Sequence, residues 1–280
     1  MTNNVKDFLW GMYVVFKREL FAHLKSVRML ILMVIFTLFA LSSVFVGSFV
    51  MTMVANSPEL MGDNNIQQGP VFILNVVMGF ITMIGPIIAI ALSFDLIVKE
   101  KMQNSLDLLL CRPVSRRAIA FGKFLGTMTA LALPVFLVNI LAVVITMVLS
   151  GKGITILQAS GFIIYTILFL TIYIALAQMI SGLVKTTTTA ILSGIVLWLC
   201  FWLFIPIITA ILGGQNQTLS TYLGLINPAS SYSFCVNDVL GGQSLSLQGG
   251  IPVWGYYLTF ALWFVISLVL AVEIFHRKKE

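Results

Sequence analysis

The sequence predicts an all-α integral membrane protein: six transmembrane helices, an N-terminal amphipathic elbow helix, a cytoplasmic coupling helix and short outer re-entrant helices before the last span. Three observations carry this reading. The 280 residues are 59% hydrophobic and 9% charged, whereas soluble domains carry about 25% charged residues. The few charges leave apolar intervals long enough for the roughly 20 residues that a membrane helix needs. Finally, 15 of the 16 Lys and Arg fall in alternate connections between those intervals, the asymmetry that sets orientation in a membrane.

Taken in order, the spans are expected at about 29–54, 71–94, 124–149, 159–184, 190–212 and 252–272. Helices are forced, because lipid offers no partner for backbone polar groups and the runs are too long and unalternating for barrel strands. The charge-free stretch from Thr186 to Asp238 divides where GGQNQTLS (213–220) must leave the membrane. The whole chain, 1–280, reads as a single transmembrane domain. Lys152 stands alone on one side, so both termini and the other basic connections are placed in the cytoplasm of a cell membrane, with Cys111 inside and Cys235 outside. Orientation thereby accounts for the net charge of +6, and nucleic acid is not expected as a partner. The long charged leader before the first apolar run is the wrong shape for a cleaved signal peptide.

What the spans lack narrows the function. None carries an internal charge, as an ion relay would require. Asp95 and Glu273 sit at cytoplasmic ends, four residues before Lys99 and Arg277, a spacing suited to helical ion pairs. His23 and His276 are flank residues, so no catalytic or metal-binding residues are assigned. No phosphate loop exists: the pairs Gly122-Lys123 and Gly151-Lys152 have Arg117 and Thr146 where the first glycine belongs. ATP and Mg, if used, are bound by a partner.

Residues 5–25 form the elbow. Val5, Phe8, Leu9, Met12, Val15, Phe16 and Leu20 share an arc opposite Lys6, Asp7, Lys17, Arg18 and Lys25, with Glu19 inside the apolar arc. The stripe is expected to lie in the headgroup layer. Residues 99–123 form the one substantial cytoplasmic loop. There Asn104 or Ser105 caps a short helix, Asp107 suits its positive end and Leu106, Leu109 and Leu110 supply an apolar face. Pro113 ends it, and Ser115 caps a second helix that starts at Arg116-Arg117 and runs through Gly122 into the third span. Gly122-x-x-x-Gly126 is a candidate for close helix approach.

The stretch Phe94-Asp95, Lys99-Glu100, Ser105-Leu106, Leu108-Leu109-Leu110, Arg112-Pro113-Val114-Ser115-Arg116 and Gly122-Lys123 resembles the signature loop of type-2 ABC exporter permeases. Lys99-Glu100-Lys101 departs from the usual Glu-Arg. The six spans, the elbow and Asn227-Pro228 in a long outer segment are similar too, so the likeness covers essentially the whole chain. Within the family it is nearest to permeases of nitrous-oxide-reductase maturation systems. The resemblance implies a permease homodimer with two separate cytoplasmic ATPases, and a loop helix that couples to them through Leu106, Asp107, Leu109, Leu110, Arg112, Pro113, Arg116 and Arg117.

Function is therefore expected to be the transmembrane subunit of an ATP-driven exporter or mechanically acting complex; a non-transport membrane scaffold is the alternative. Asn75, Asn139, Tyr165, Tyr173 and Gln178 are the polar candidates for lining a path, although such residues also bond between helices. A charge-free lining favours an amphipathic or lipid-like substrate. The outer segment, 213–251, carries only Asp238 as a charge and many apolar residues. It reads as two short helices broken at Asn227-Pro228, the second capped by Ser230 or Ser231. These dip back against the spans as an outer gate or a docking site for an extracytoplasmic partner, with Tyr222, Asn227, Pro228, Tyr232 and Phe234 as the candidate residues.

Overall fold

The computed structural model describes residues 2–56, 69–103, 115–214, 216–241 and 252–277, and among these every regular element is a helix. In chain order they are α1 (Thr2–Leu24), α2 (Val27–Ala55), α3 (Pro70–Ser93), α4 (Val98–Met102), α5 (Arg116–Ser150), α6 (Ile156–Leu183), α7 (Thr187–Leu199), α8 (Ile205–Gly213), α9 (Gln217–Leu225), α10 (Pro228–Val239) and α11 (Val253–Arg277). Six stretches are long and apolar enough to cross a membrane: Val27–Val54, Pro70–Met102, Arg116–Ser150, Ile156–Leu183, Thr187–Gly213 and Val253–Phe275.

Local chemistry sets the ends. Ser115 Oγ accepts from Ala118 N at 3.2 Å, satisfying one of the free donors of a first turn. The helix it starts runs unbroken for 35 residues, so the second half of the loop and the third span are one rod beginning at Arg116, as the cap at Ser115 predicts. Thr155 and Gln158 close a reciprocal capping box at the start of α6. α7 and α8 are joined by a π-helical turn, Cys200–Phe204. Pro206, two residues past its end, has no N–H to offer the carbonyl of Trp202, which favours the widened turn. At α10 the cap is Asn227, not Ser230 or Ser231: its Oδ1 accepts from Ala229 N at 2.9 Å. Pro228 occupies the first helical position and lacks a donor, so Ala229 presents the first N–H in need of a partner.

α6 is the hub, packed on α3, α5, α7, α10 and α11. From Phe169 through Gln178 every residue is buried, the pattern of a helix surrounded on all sides. The α7–α8 span is the opposite case, with Ile191, Leu192, Ile195, Val196, Phe204, Ile207, Ile208 and Ile211 exposed. α1 lies along α5, and the two glycines explain how closely. A Cβ at 122 would meet Met12 O at 2.8 Å, and one at 126 would meet Glu19 Cβ at 2.7 Å and Phe16 O at 3.0 Å. The irregular stripe of α1 follows from having two apolar faces. Val15 turns its side chain to α5 and the backbone of Phe16 and Leu20 lies against Gly126, while Leu9, Trp10, Tyr13, Val14, Phe21 and Leu24 stay exposed.

Candidate functional site

The two ends of the bundle differ in charge, and the basic end gathers the residues around the loop. Of the expected coupling residues, Leu106, Asp107, Leu109, Leu110, Arg112 and Pro113, with the caps Asn104 and Ser105, lie outside the described residues. Arg116 and Arg117 open α5, where Arg117 meets Glu273 of α11 at 3.3 Å. What the structure does define is how both feet of the loop are held. Ser181 of α6 accepts the backbone N–H groups of Ile97 and Val98, each at 3.0 Å, at the start of α4. Lys101 Nζ donates to the carbonyl of Gly182. Gln178 Nε2 donates at 3.0 Å to the carbonyl of Ala120, on the other foot. The last turns of α6 thus grip α4 and α5 together.

Across the feet from α6 stands a cluster of charges that the periodicity of the spans does not reveal. Lys123 is 3% exposed, with its ammonium 2.9 Å from Glu100 and 3.6 Å from Glu19. Arg18 reaches Glu100 at 3.5 Å. His23 shares a hydrogen bond with Thr127 at 3.1 Å and stands 3.6 Å from Glu19. Its pKa falls below the usual 6.5, chiefly because burial disfavours the charged ring, with Arg28 and Lys123 acting in the same direction against Glu19 and Asp95. Asp95 is taken by Arg28 of α2 at 2.9 Å, not by Lys99. The guanidinium also donates to the Ala91 carbonyl and lies 4.6 Å over the Phe94 ring. Asp95 lies in the turn between α3 and α4, outside a regular helix, so the i,i+4 geometry that would favour Lys99 is not in force there. Between these pairs lies a cavity of about 290 Å³. The one sequence signal of the cluster is Glu19, a carboxylate on an apolar arc, together with a lysine beside the glycine pair of α5.

The five candidate path residues fall mainly inside the helix packing. Tyr173 stacks edge-on to Phe169 and Phe201, with centroids at 5.2 and 6.3 Å. Asn139 is buried and donates to its own helix at Val135 O, 2.9 Å away. Gln178 holds the loop foot, Tyr165 is half-buried beside Tyr257 and Phe260, and Asn75 is half-buried. None of the five lines the 290 Å³ cavity at the charged cluster or the 520 Å³ cavity beside α8, α9 and α10.

The neutral end is built by aromatic contacts. Tyr232 is fully buried, stacked on Phe169 at 4.4 Å, with its hydroxyl 2.8 Å from Thr166 Oγ1. Phe234 stacks on Tyr256 at 3.8 Å. Asn227 Nδ2 donates to the Phe201 carbonyl at 2.8 Å, Pro228 is buried and Tyr222 is exposed. A second cavity of about 520 Å³ opens beside α8, α9 and α10, lined by hydroxyls, amides and aromatic rings including Thr209, Ser220, Ser233 and Trp202, with no charged group. Cys235 is fully buried, so its thiol is a poor reporter of sidedness.

Sequence comparison decides the class to which this arrangement belongs. Residues 13–279 match the family described as ABC-2 family transporter protein. The chain belongs to the ABC-2 transporter family. Relatives of this permease include the probable ABC transporter permease protein NosY of Stutzerimonas stutzeri, 29% identical over 212 residues, which are 70% of this chain and 77% of the relative. The NosY of Pseudomonas aeruginosa is 29% identical over 211 residues, with the same coverage of each chain. An ABC-2 permease is the transmembrane subunit of an ABC transporter and implies a partner ATP-binding subunit, and the six apolar helices make it a multi-pass membrane protein.

Proposed function

We propose that this permease couples ATP hydrolysis by a cytoplasmic ATPase subunit, bound at loop 99–123, to export or mechanical work at the opposite face. The basic end faces the cytoplasm. Leu106, Asp107, Leu109, Leu110, Arg112, Pro113, Arg116 and Arg117 form the contact, and ATP and Mg reside in the partner. The observation that carries this reading is the placement of α6. At one end it grips both loop feet through Gln178, Ser181 and Gly182. At the other it holds α10 through Thr166 to Tyr232, and Gln158 Nε2 donates to the Leu240 carbonyl at 2.9 Å. Its 28 residues contain no proline, and a helix of that length spans about 42 Å. A displacement of the loop therefore has a straight, packed route to the outer pair α9–α10, where Tyr222, Asn227, Pro228, Tyr232 and Phe234 form the gate. The exposed α7–α8 face, charge-free and apolar, suits a second permease copy in a homodimer with two ATPases. An extracytoplasmic partner protein would dock on the outer pair.

Capture of the tagged chain from native membranes in mild detergent tests the reading. A P-loop ATPase is expected to co-purify and to be released or uncoupled by Leu109→Asp with Leu110→Asp. Its absence from the wild-type complex points to a non-transport scaffold instead. Orientation is read from introduced cysteines at exposed positions: an impermeant thiol reagent on intact cells is expected to label Leu219→Cys and spare Lys17→Cys. The reverse pattern would invert the topology.

A further inference from the structure

We propose that Lys123 is a positioning residue that locks α1 to both feet of the loop, so that elbow and loop move as one body; this rests on the coupling reading above. Lys123 stands on α5, the second foot. Its 2.9 Å partner, Glu100, is on α4, the first foot, and its 3.6 Å partner, Glu19, is on α1. Arg18, one residue from Glu19, reaches the same Glu100 at 3.5 Å. Three chain segments are therefore joined in a closed triangle.

Stability alone does not explain such a triangle. Burying each ion costs several kcal/mol, and an apolar side chain of similar volume commonly fills such a site at no loss, while removal of one partner leaves a stranded charge. What the charges supply is a fixed relative position. The backbone agrees with this. Gly122 and Gly126 bracket Lys123, and the α1 backbone at Met12 and Phe16 lies against them within 2.8 and 3.0 Å of where a Cβ would stand. Sliding α1 along α5 would carry Glu19 off Lys123 and drive Phe16 or Leu20 across Gly126. A stroke that displaces the loop cannot be absorbed at the α1–α5 joint. It must carry α1, with its exposed Trp10, Tyr13, Val14, Phe21 and Leu24, along the membrane surface.

The test is a distance measurement in the full permease–ATPase complex in lipid, with the native cysteines changed to serine and spin labels at Lys17→Cys on α1 and Lys99→Cys on α4, both exposed. Wild type is expected to give one narrow distribution, unchanged when ATP is trapped. The single variant Lys123→Met leaves the Glu19 and Glu100 carboxylates close together without the buried ammonium between them and invites misfolding. The informative variant is Lys123→Met with Glu19→Gln and Glu100→Gln, which removes the charges together. It is expected to retain the ATPase, to broaden the distribution about two-fold, and to lower ATP turnover about three-fold or more at unchanged KM, because the lock acts on the stroke and not on nucleotide binding. A wild-type shift beyond about 3 Å on trapping nucleotide overturns the single body, since sub-ångström to 2 Å adjustments are what packed helices make without re-registering. A triple variant matching wild type in width and turnover overturns the role of Lys123. A wild-type chain that retains no ATPase overturns the coupling reading and not the lock, which the width comparison on the permease alone then decides.

Discussion

The basic and neutral ends of this permease are held together by different physics. At the basic end charge pairs join the helices, Lys123 with Glu100 and Glu19, Arg28 with Asp95, Arg117 with Glu273, beside the neutral bonds by which Gln178 and Ser181 of α6 hold the loop feet. At the neutral end the links are rings and neutral polar groups: Tyr232 on Phe169, Phe234 on Tyr256, Asn227 to the Phe201 carbonyl. One carboxylate takes part there, Asp238, which accepts from the Tyr257 hydroxyl at 2.7 Å. Charge pairs depend on which group stands opposite and little on exact volume. Stacked rings depend on volume and contact, and are indifferent to charge. The basic end should therefore fail when charge or backbone approach is altered, and the neutral end when a ring is removed.

Four outcomes sharpen that contrast. The largest effect is expected from Tyr232→Ala. It removes a fully buried ring at a cost of about 3–5 kcal/mol, seen as a lower denaturation midpoint of the purified permease and faster amide exchange in α9 and α10. Equal exchange in the variant and wild type would mean that α9 and α10 are held by something else. Next comes Gly126→Leu, where even a Cβ would meet Glu19 Cβ at 2.7 Å. Overpacking of this kind costs about 1–3 kcal/mol. Protection should be lost in α1 and kept in α10, and loss at both ends would contradict the independence of the two regions.

Tyr232→Phe is expected to be milder, about 0.5–1.5 kcal/mol, because Thr166 keeps its bond to the Phe162 carbonyl at 2.7 Å. If it matches Tyr232→Ala in the same unfolding measurement, the hydroxyl and not the ring holds α10. The smallest effect belongs to His23. Its folded pKa lies below the ordinary 6.5, so the unfolded chain takes up the proton first as pH falls. Stability of the α1 joint should be fully present above about pH 6.5 and decline below it toward the folded pKa, with a slope of no more than about 1.4 kcal/mol per pH unit. Amide exchange of α1 as a function of pH measures this, and His23→Gln should flatten the profile while leaving α10 unchanged. Glu19, Asp95, Arg28 and Lys123 all face the ring, so a flat wild-type profile would mean that their compensation is complete.

The sequence by itself determined the six apolar helices, because in lipid an unbroken apolar run has no alternative to satisfying its own backbone. It also determined the local starts at Ser115 and the break at Asn227-Pro228, since capping and proline chemistry act over three or four residues. The family could be read from the loop motif for the same reason: its residues are contiguous. Only the tertiary structure decided which charges meet. Asp95 took Arg28, 67 positions away, in place of Lys99, and Lys123 joined Glu19 and Glu100 across two other segments. Likewise Tyr173 and Gln178, polar in sequence and so candidates for a path, were placed within the packing, and Ser181 was given the backbone donors of α4. Helical periodicity specifies which residues share a face of one helix, and the Gly122-x-x-x-Gly126 spacing marks a place for close approach, but neither names the facing helix; that α1 lies there, and that α6 is buried on all sides, was decided by the packing.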